Sequence, residues 1–211
     1  MKLTAIQLKN TVPNLSLDRA TSLSNIINIV CPLYGIDTFD RLHEFIATLA
    51  HESGGFRIKT ENMSYTTPER IMAIWSTRFP TRASALPYVR NPKALANKVY
   101  NGRMGNRSGT DDGYNFRGGG FIQLTGRYSY EQYKKYKDKN NQYTLEQIAE
   151  LIRTNDSWAI DSACWEFAID KKLLEAADRD DFLYITKRIN GGYIGLADRK
   201  YYYERAKKYI V

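Results

Sequence analysis

Residues 38–56 read TFDRLHEFIATLAHESGGF, and this stretch sets the fold class. Leu42, Phe45, Ile46 and Leu49 fall within about 100° of arc at roughly 100° per residue, the signature of one apolar helix face. Thr38 offers a capping hydroxyl and the Gly54-Gly55 pair ends the repeat, so the pattern predicts a helix from Thr38 to Ser53. Glu52 lies ten residues after Leu42, about 80° to one side of the apolar face, at the border between core and solvent. A carboxyl there meets the negative end of the helix dipole beside apolar neighbours, and both effects favour its protonated form. Glu52 is therefore a candidate general acid.

The same helical grammar extends outward. Thr4 with Gln7 and Thr144 with Gln147 read as capping boxes, and Thr67-Pro68 and Asn91-Pro92 place a capping side chain before a proline at the first helical position. Apolar residues recur at helical spacing at Ala20, Leu23, Ile27 and Val30, and again at Trp158, Cys164, Trp165 and Ala168. Strand-like alternation is scarce. Seven glycines among the nineteen residues from Gly102 to Gly120 predict an irregular, site-forming segment. No repeat or linker breaks the chain, so residues 1–211 are expected to form one mainly helical, all-α domain.

Composition narrows the function classes. The chain is 43% hydrophobic and 26% charged, which suits a globular unit with a core of its own. Two cysteines, Cys31 and Cys164, are too few for a disulfide scaffold. No run approaches the roughly 18 apolar residues that cross a bilayer, and the opening MKLTAIQLKN lacks the apolar stretch of a secretory signal. The expectation is a protein made in the cytoplasm with no stable membrane insertion. A net charge of +8 favours a polyanionic partner, and sixteen tyrosines suit a wet groove that holds sugars or bases.

Glu61 follows Glu52 by nine residues in the polar segment Thr60-Glu61-Asn62, where solvent and hydrogen-bond donors would keep it ionised. Two carboxylates in unlike environments form an acid and base pair, and glycoside cleavage is the reaction that most often uses one. Other constellations fail. His51-Glu52 opens like a zinc-peptidase signature, but Gly55 stands where the second histidine belongs, so no metal or other cofactor is expected. Cys164 lies between Ala163 and Trp165 and reads as core rather than as a nucleophile paired with His51. Gly118-Gly119-Gly120 lacks the partners of a phosphate loop. The Tyr and Lys mixture from Tyr128 to Lys139 fits a helix surface better than a nucleic-acid reader, and nucleic acid is not an expected partner.

Three motifs together carry a resemblance: Ala50-His51-Glu52-Ser53-Gly54-Gly55-Phe56; Phe116-Arg117-Gly118-Gly119-Gly120-Phe121-Ile122-Gln123-Leu124-Thr125-Gly126; and Ile189-Asn190-Gly191-Gly192 followed by Asp198-Arg199. In order and spacing they resemble glycoside hydrolase family 19, which contains chitinases and phage endolysins, and the opening Leu3-Thr4 and Gln7-Leu8 resembles the endolysin branch. The resemblance implies a lysozyme-like fold with two helical lobes around a substrate groove. It implies that Glu52 is the general acid, Glu61 the general base, and Thr125 the hydroxyl that helps Glu61 hold the attacking water. Gln123 and Asn190 match groups that hydrogen-bond the sugar, Arg199 matches a cation behind the carboxylates, and Tyr128 joins the substrate-binding candidates. Gly119 stands where the family usually has Arg, and Ser129 replaces an Asn that contacts substrate in chitinases.

The resulting expectation is a monomeric, inverting glycosidase that cuts β-1,4 bonds in bacterial cell-wall peptidoglycan after release from the cytoplasm. Chitinase is the nearest alternative, and a non-catalytic wall-binding module the next. The charge favours the anionic wall over neutral chitin, since long-range attraction speeds encounter only with a charged polymer.

Overall fold

Short polar side chains start the helices where the sequence places them. Thr38 accepts from the Arg41 amide at the head of the Phe39–Glu52 helix, and Ser53 follows its last residue. Thr4 and Gln7 close one reciprocal capping box, and Thr144 and Gln147 another. Thr67 and Asn91 cap helices that begin with Pro68 and Pro92, whose missing N–H is no loss in a first turn. The computed structural model describes residues 2–211 and is mainly helical; its only β-type pairings among the described residues are two isolated antiparallel bridges.

The chain divides into two compact units, and the backbone passes between them four times. The first comprises the residues up to Lys59, Gly120–Gln123 and Leu151–Val211; the second comprises Thr60–Gly119 and Leu124–Glu150.

In the first unit, Leu42, Phe45, Ile46 and Leu49 are all buried, as their spacing requires. The Phe39–Glu52 helix runs antiparallel to the Leu196–Tyr209 helix: Glu52 meets Arg199 at one end, and His43 Nε2 lies 2.8 Å from the Ile210 carbonyl at the other. Ala20, Leu23, Ile27 and Val30 bury the inner face of the Leu17–Val30 helix, which packs on Asp156–Trp165. That last helix loosens into a π-helical turn, Glu166–Asp170. Cys164, Trp165 and Ala168 are core, whereas Trp158 is half-buried.

In the second unit, Met63, Ile71, Phe79, Leu95 and Val99 form a core ringed by Tyr65, Trp75, Tyr88, Tyr100 and Tyr114. Edge-to-face contacts link Tyr65 to Trp75, Trp75 to Phe79 and Phe79 to Tyr88, which fixes ring orientations as well as volume. The glycine-rich segment is less irregular than its composition predicts, because a helical turn, Asp112–Asn115, forms within it. Burial opposes ionisation of Asp112, but hydrogen bonds from Arg107 and the charges of Arg107 and Arg127 prevail and hold its carboxyl at about 2. Gly113 allows this turn to lie on the Pro92–Tyr100 helix, since a Cβ there would sit 2.6 Å from the Ala96 carbonyl oxygen.

Candidate functional site

Glu61 is anchored from three sides within the second unit. Its amide donates to the Gly118 carbonyl at 2.9 Å, and its Oε2 accepts from the Gly118 amide at 3.0 Å. Its Oε1 accepts from the Tyr100 hydroxyl at 2.6 Å. Burial is the main reason the Tyr100 hydroxyl is raised above its ordinary value, with the Glu61 charge and the hydrogen bond adding to the effect. Tyr100 therefore stays a proton donor across the whole working range. Burial and the same carboxylate also push Tyr65 up, against the pull of Arg70. Each carboxylate oxygen keeps a further lone pair, so the group can still accept a proton from water.

The bridges bring the glycine motif to the same place. Thr60 pairs with Gly119, and Gly119 pairs with Leu124, each amide donating to the other's carbonyl at 3.0 and 2.8 Å. Thr125, half-buried, follows directly, so its hydroxyl belongs to the strip that is bridged to the Glu61 segment. Gly119 serves here as a backbone link in both bridges. Tyr128 is 60% exposed and is held by its amide, which donates to the Met104 carbonyl at 3.0 Å. Ser129 is its half-buried neighbour.

Glu52 belongs to the first unit and has a different environment. Its side chain is 19% exposed and its Oε1 is paired with the Arg199 guanidinium, which is buried. The helix dipole and apolar neighbours were readable locally; the cation that the resemblance implies behind the carboxylates, Arg199, is paired with Glu52 itself. Arg199 Nε is buried without a hydrogen-bond partner among the described residues, so the ion pair is the guanidinium's main anchor. One residue away on each chain segment, His51 Nδ1 lies 2.6 Å from Asp198 Oδ2. Gly195 makes this possible: its φ of +75 would strain any other residue, and a Cβ would lie 2.5 Å from His51 Cε1. His51 and Asp198 thus join the end of the Phe39–Glu52 helix to the start of the Leu196–Tyr209 helix, one place before Glu52 and Arg199.

Glu166 also acts on this corner. Burial pushes its carboxyl up to about 7, Lys171 pulls it down, and the charges of Asp170 and Glu52 push it further up. Gln123 and Asn190 lie in the first unit but serve the backbone: Gln123 Nε2 donates to the Gly120 carbonyl at 2.9 Å, and Asn190 Nδ2 donates to the Ile194 carbonyl at 3.1 Å. Asn190 is exposed and Gln123 half-buried.

The structure thus gathers Glu52 with Arg199 in one unit and Glu61 with Thr125 in the other. Sequence reasoning missed Tyr100, Glu166 and the His51–Asp198 pair. His51 and Asp198 stand inside motifs already singled out, one place before Glu52 and Arg199, which was the available signal; Tyr100 and Glu166 offered none. Among the described residues, no three His, Cys, Asp or Glu side chains cluster as a metal site.

No family model matches the chain. A protein of Haemophilus influenzae named as a glycosyl hydrolase family 19 domain-containing protein is 32% identical over 158 residues, which cover 74% of this chain and 72% of that protein. With that identity over most of both chains, this protein belongs to glycoside hydrolase family 19.

Proposed function

We propose that this protein is an inverting glycosidase that hydrolyses β-1,4 bonds between amino sugars of peptidoglycan, in the manner of an endolysin. Both units contribute to one catalytic domain, residues 1–211. Glu52 gives its proton to the leaving glycosidic oxygen and ends as a carboxylate. Glu61 takes a proton from water as the water oxygen bonds to the anomeric carbon from the opposite face, and Thr125 orients that water. Solvent then returns one proton to Glu52 and removes one from Glu61. Gln123, Asn190 and Tyr128 are assigned to the sugars, and Arg199 to Glu52.

The observation that carries this reading is the anchoring of Glu61. A carboxylate held by one hydroxyl and one amide, both neutral donors, beside a strip that carries Thr125, suits a base for water. The charge of +8 supports an anionic polymer as substrate, and so a site of action at the cell wall after release from the cytoplasm. Purified peptidoglycan in a zymogram, run beside soluble chitin oligomers, tests the assignment. Clearing of peptidoglycan with slow or no cleavage of the oligomers is expected. Efficient cleavage of chitin oligomers without wall clearing would make the protein a chitinase, and binding without cleavage of either would leave a wall-binding module.

A further inference from the structure

The two cysteines are 133 residues apart in sequence, yet their sulfurs lie 3.6 Å from one another inside the first unit. Cys31 is 1% exposed and Cys164 fully buried, so the approach belongs to the core and not to a loose surface. The register is fixed twice. Cys31 opens the short 3-10 helix Cys31–Tyr34, and three residues later the Tyr34 hydroxyl donates to Asp161 Oδ1 at 2.7 Å, three residues before Cys164. The two segments therefore meet antiparallel with both pairs aligned. Cys31 also borders a cavity of about 150 Å³ walled by Ile27, Ile36 and Leu42 with Asn28 and Asp37, which leaves its sulfur room to move. Closing to a bond of about 2.05 Å requires a relative shift of about 1.5 Å.

We propose that Cys31 and Cys164 are a modification site, closing to an intramolecular disulfide when the folded chain meets a disulfide oxidant. The oxidant is a small-molecule disulfide or the disulfide form of a dithiol oxidase. A Cys31 thiolate attacks one sulfur of the oxidant, forming a mixed disulfide and expelling a thiolate. Cys164, as thiolate, attacks the Cys31 sulfur, forms the Cys31–Cys164 bond and expels the second. Two electrons pass from the cysteines to the oxidant, the two cysteine protons go to the expelled thiolates, and the oxidant leaves as two thiols. In a reducing compartment the pair stays as thiols; after passage to an oxidising one it ties the Cys31–Tyr34 turn, which follows the Leu17–Val30 helix, to the Asp156–Trp165 helix. Because closure spans so long a loop, it restricts the unfolded chain strongly. The inference does not depend on which polymer the protein cleaves.

The test equilibrates the full chain, folded and in denaturant, with glutathione buffers of rising oxidised fraction, followed by alkylation and intact-mass measurement. The expected product is a monomer lacking two hydrogens, with a Cys31–Cys164 peptide after digestion. By linkage, the factor by which folding favours the bond equals the factor by which the bond favours folding. The folded chain should therefore reach half-closure at a glutathione ratio at least about tenfold more reducing than the unfolded chain, and the oxidised protein should melt at a higher temperature. Cys31→Ser and Cys164→Ser should each abolish the product; if either fails to fold, the comparison on the parental chain decides alone. Equal half-closure points, a lasting glutathione adduct, a disulfide-linked dimer, or thiols that stay alkylatable in the folded chain while the unfolded chain closes would each overturn the proposal.

Discussion

Glu52 and Glu61 are nine residues apart and are held by opposite means. Glu52 ends a helix and is paired with the buried cation of Arg199. Glu61 sits in a bridged segment and accepts from two neutral donors, the Tyr100 hydroxyl and the Gly118 amide. The difference matches the two roles proposed for them. A general acid acquires negative charge as it reacts, and a fixed cation stabilises that charge where it develops. A general base loses its charge, so a cation beside it would hinder the reaction, whereas neutral donors orient it at lower cost.

The sharpest way to break this contrast is to remove either proposed reacting group. Glu52→Gln should keep fold and wall binding while the rate falls at least about a hundredfold, the low end of general acid contributions. Glu61→Gln should lose about as much. Near-parental lysis by either folded variant, checked by circular dichroism, would remove it from the chemistry.

The supports should rank below the carboxyls. Arg199→Met leaves a partly buried carboxylate without its cation and should lower stability by about 2 kcal/mol or more as well as slow the reaction. Tyr100→Phe removes one hydrogen bond to a charged group, commonly worth about 1.5–3 kcal/mol, so kcat should fall roughly tenfold or somewhat more. KM should hardly change, because the hydroxyl is engaged by Glu61. A Tyr100→Phe loss confined to KM would place the hydroxyl on substrate instead.

Much of this arrangement was legible in the sequence, and the boundary is physical. The helix over residues 38–53, its cap and its glycine stop were readable because helix periodicity and capping act within a few residues. The capping boxes at Thr4 and Thr144 were readable for the same reason. Tyr100 lies 39 residues from Glu61, and Asp198 lies 147 from His51, so those pairings depend on tertiary structure that no local pattern encodes. Arg199 was identifiable only through its motif. The two units were hidden because each is assembled from separated segments and no linker marks the passage between them.

A smaller effect separates stability from chemistry along the Glu52 helix. Glu44 is buried two turns before Glu52; burial is the main cause that pushes its carboxyl from 4.5 up to about 8, Asp180 and Asp181 add to the shift, and Lys207 opposes it. Between those values the folded chain keeps a proton that the unfolded chain has lost, so stability is full below about pH 4.5 and declines as pH rises towards 8. Glu44→Gln should flatten that decline in urea titrations, with the variant gaining on the parent as pH rises and little difference at pH 4. An identical pH profile for parent and variant would assign the decline elsewhere.

Salt is the mildest lever. Wall lysis should weaken as ionic strength rises, while cleavage of a short uncharged oligosaccharide should change little, because screening acts on encounter with the polymer and not on the chemical step. Equal sensitivity on both substrates would remove the charge argument for peptidoglycan.

The stereochemistry of the first product tests the acid and base division most directly. If Glu61 activates water while Glu52 protonates the leaving oxygen, the anomeric carbon inverts and a β-linked substrate yields an α-anomer. Proton NMR during the first minutes, before mutarotation, should show that α-anomer as the initial product. An initial β-anomer, or a glycosyl group trapped on Glu61, would contradict the division of roles and make Glu61 a nucleophile.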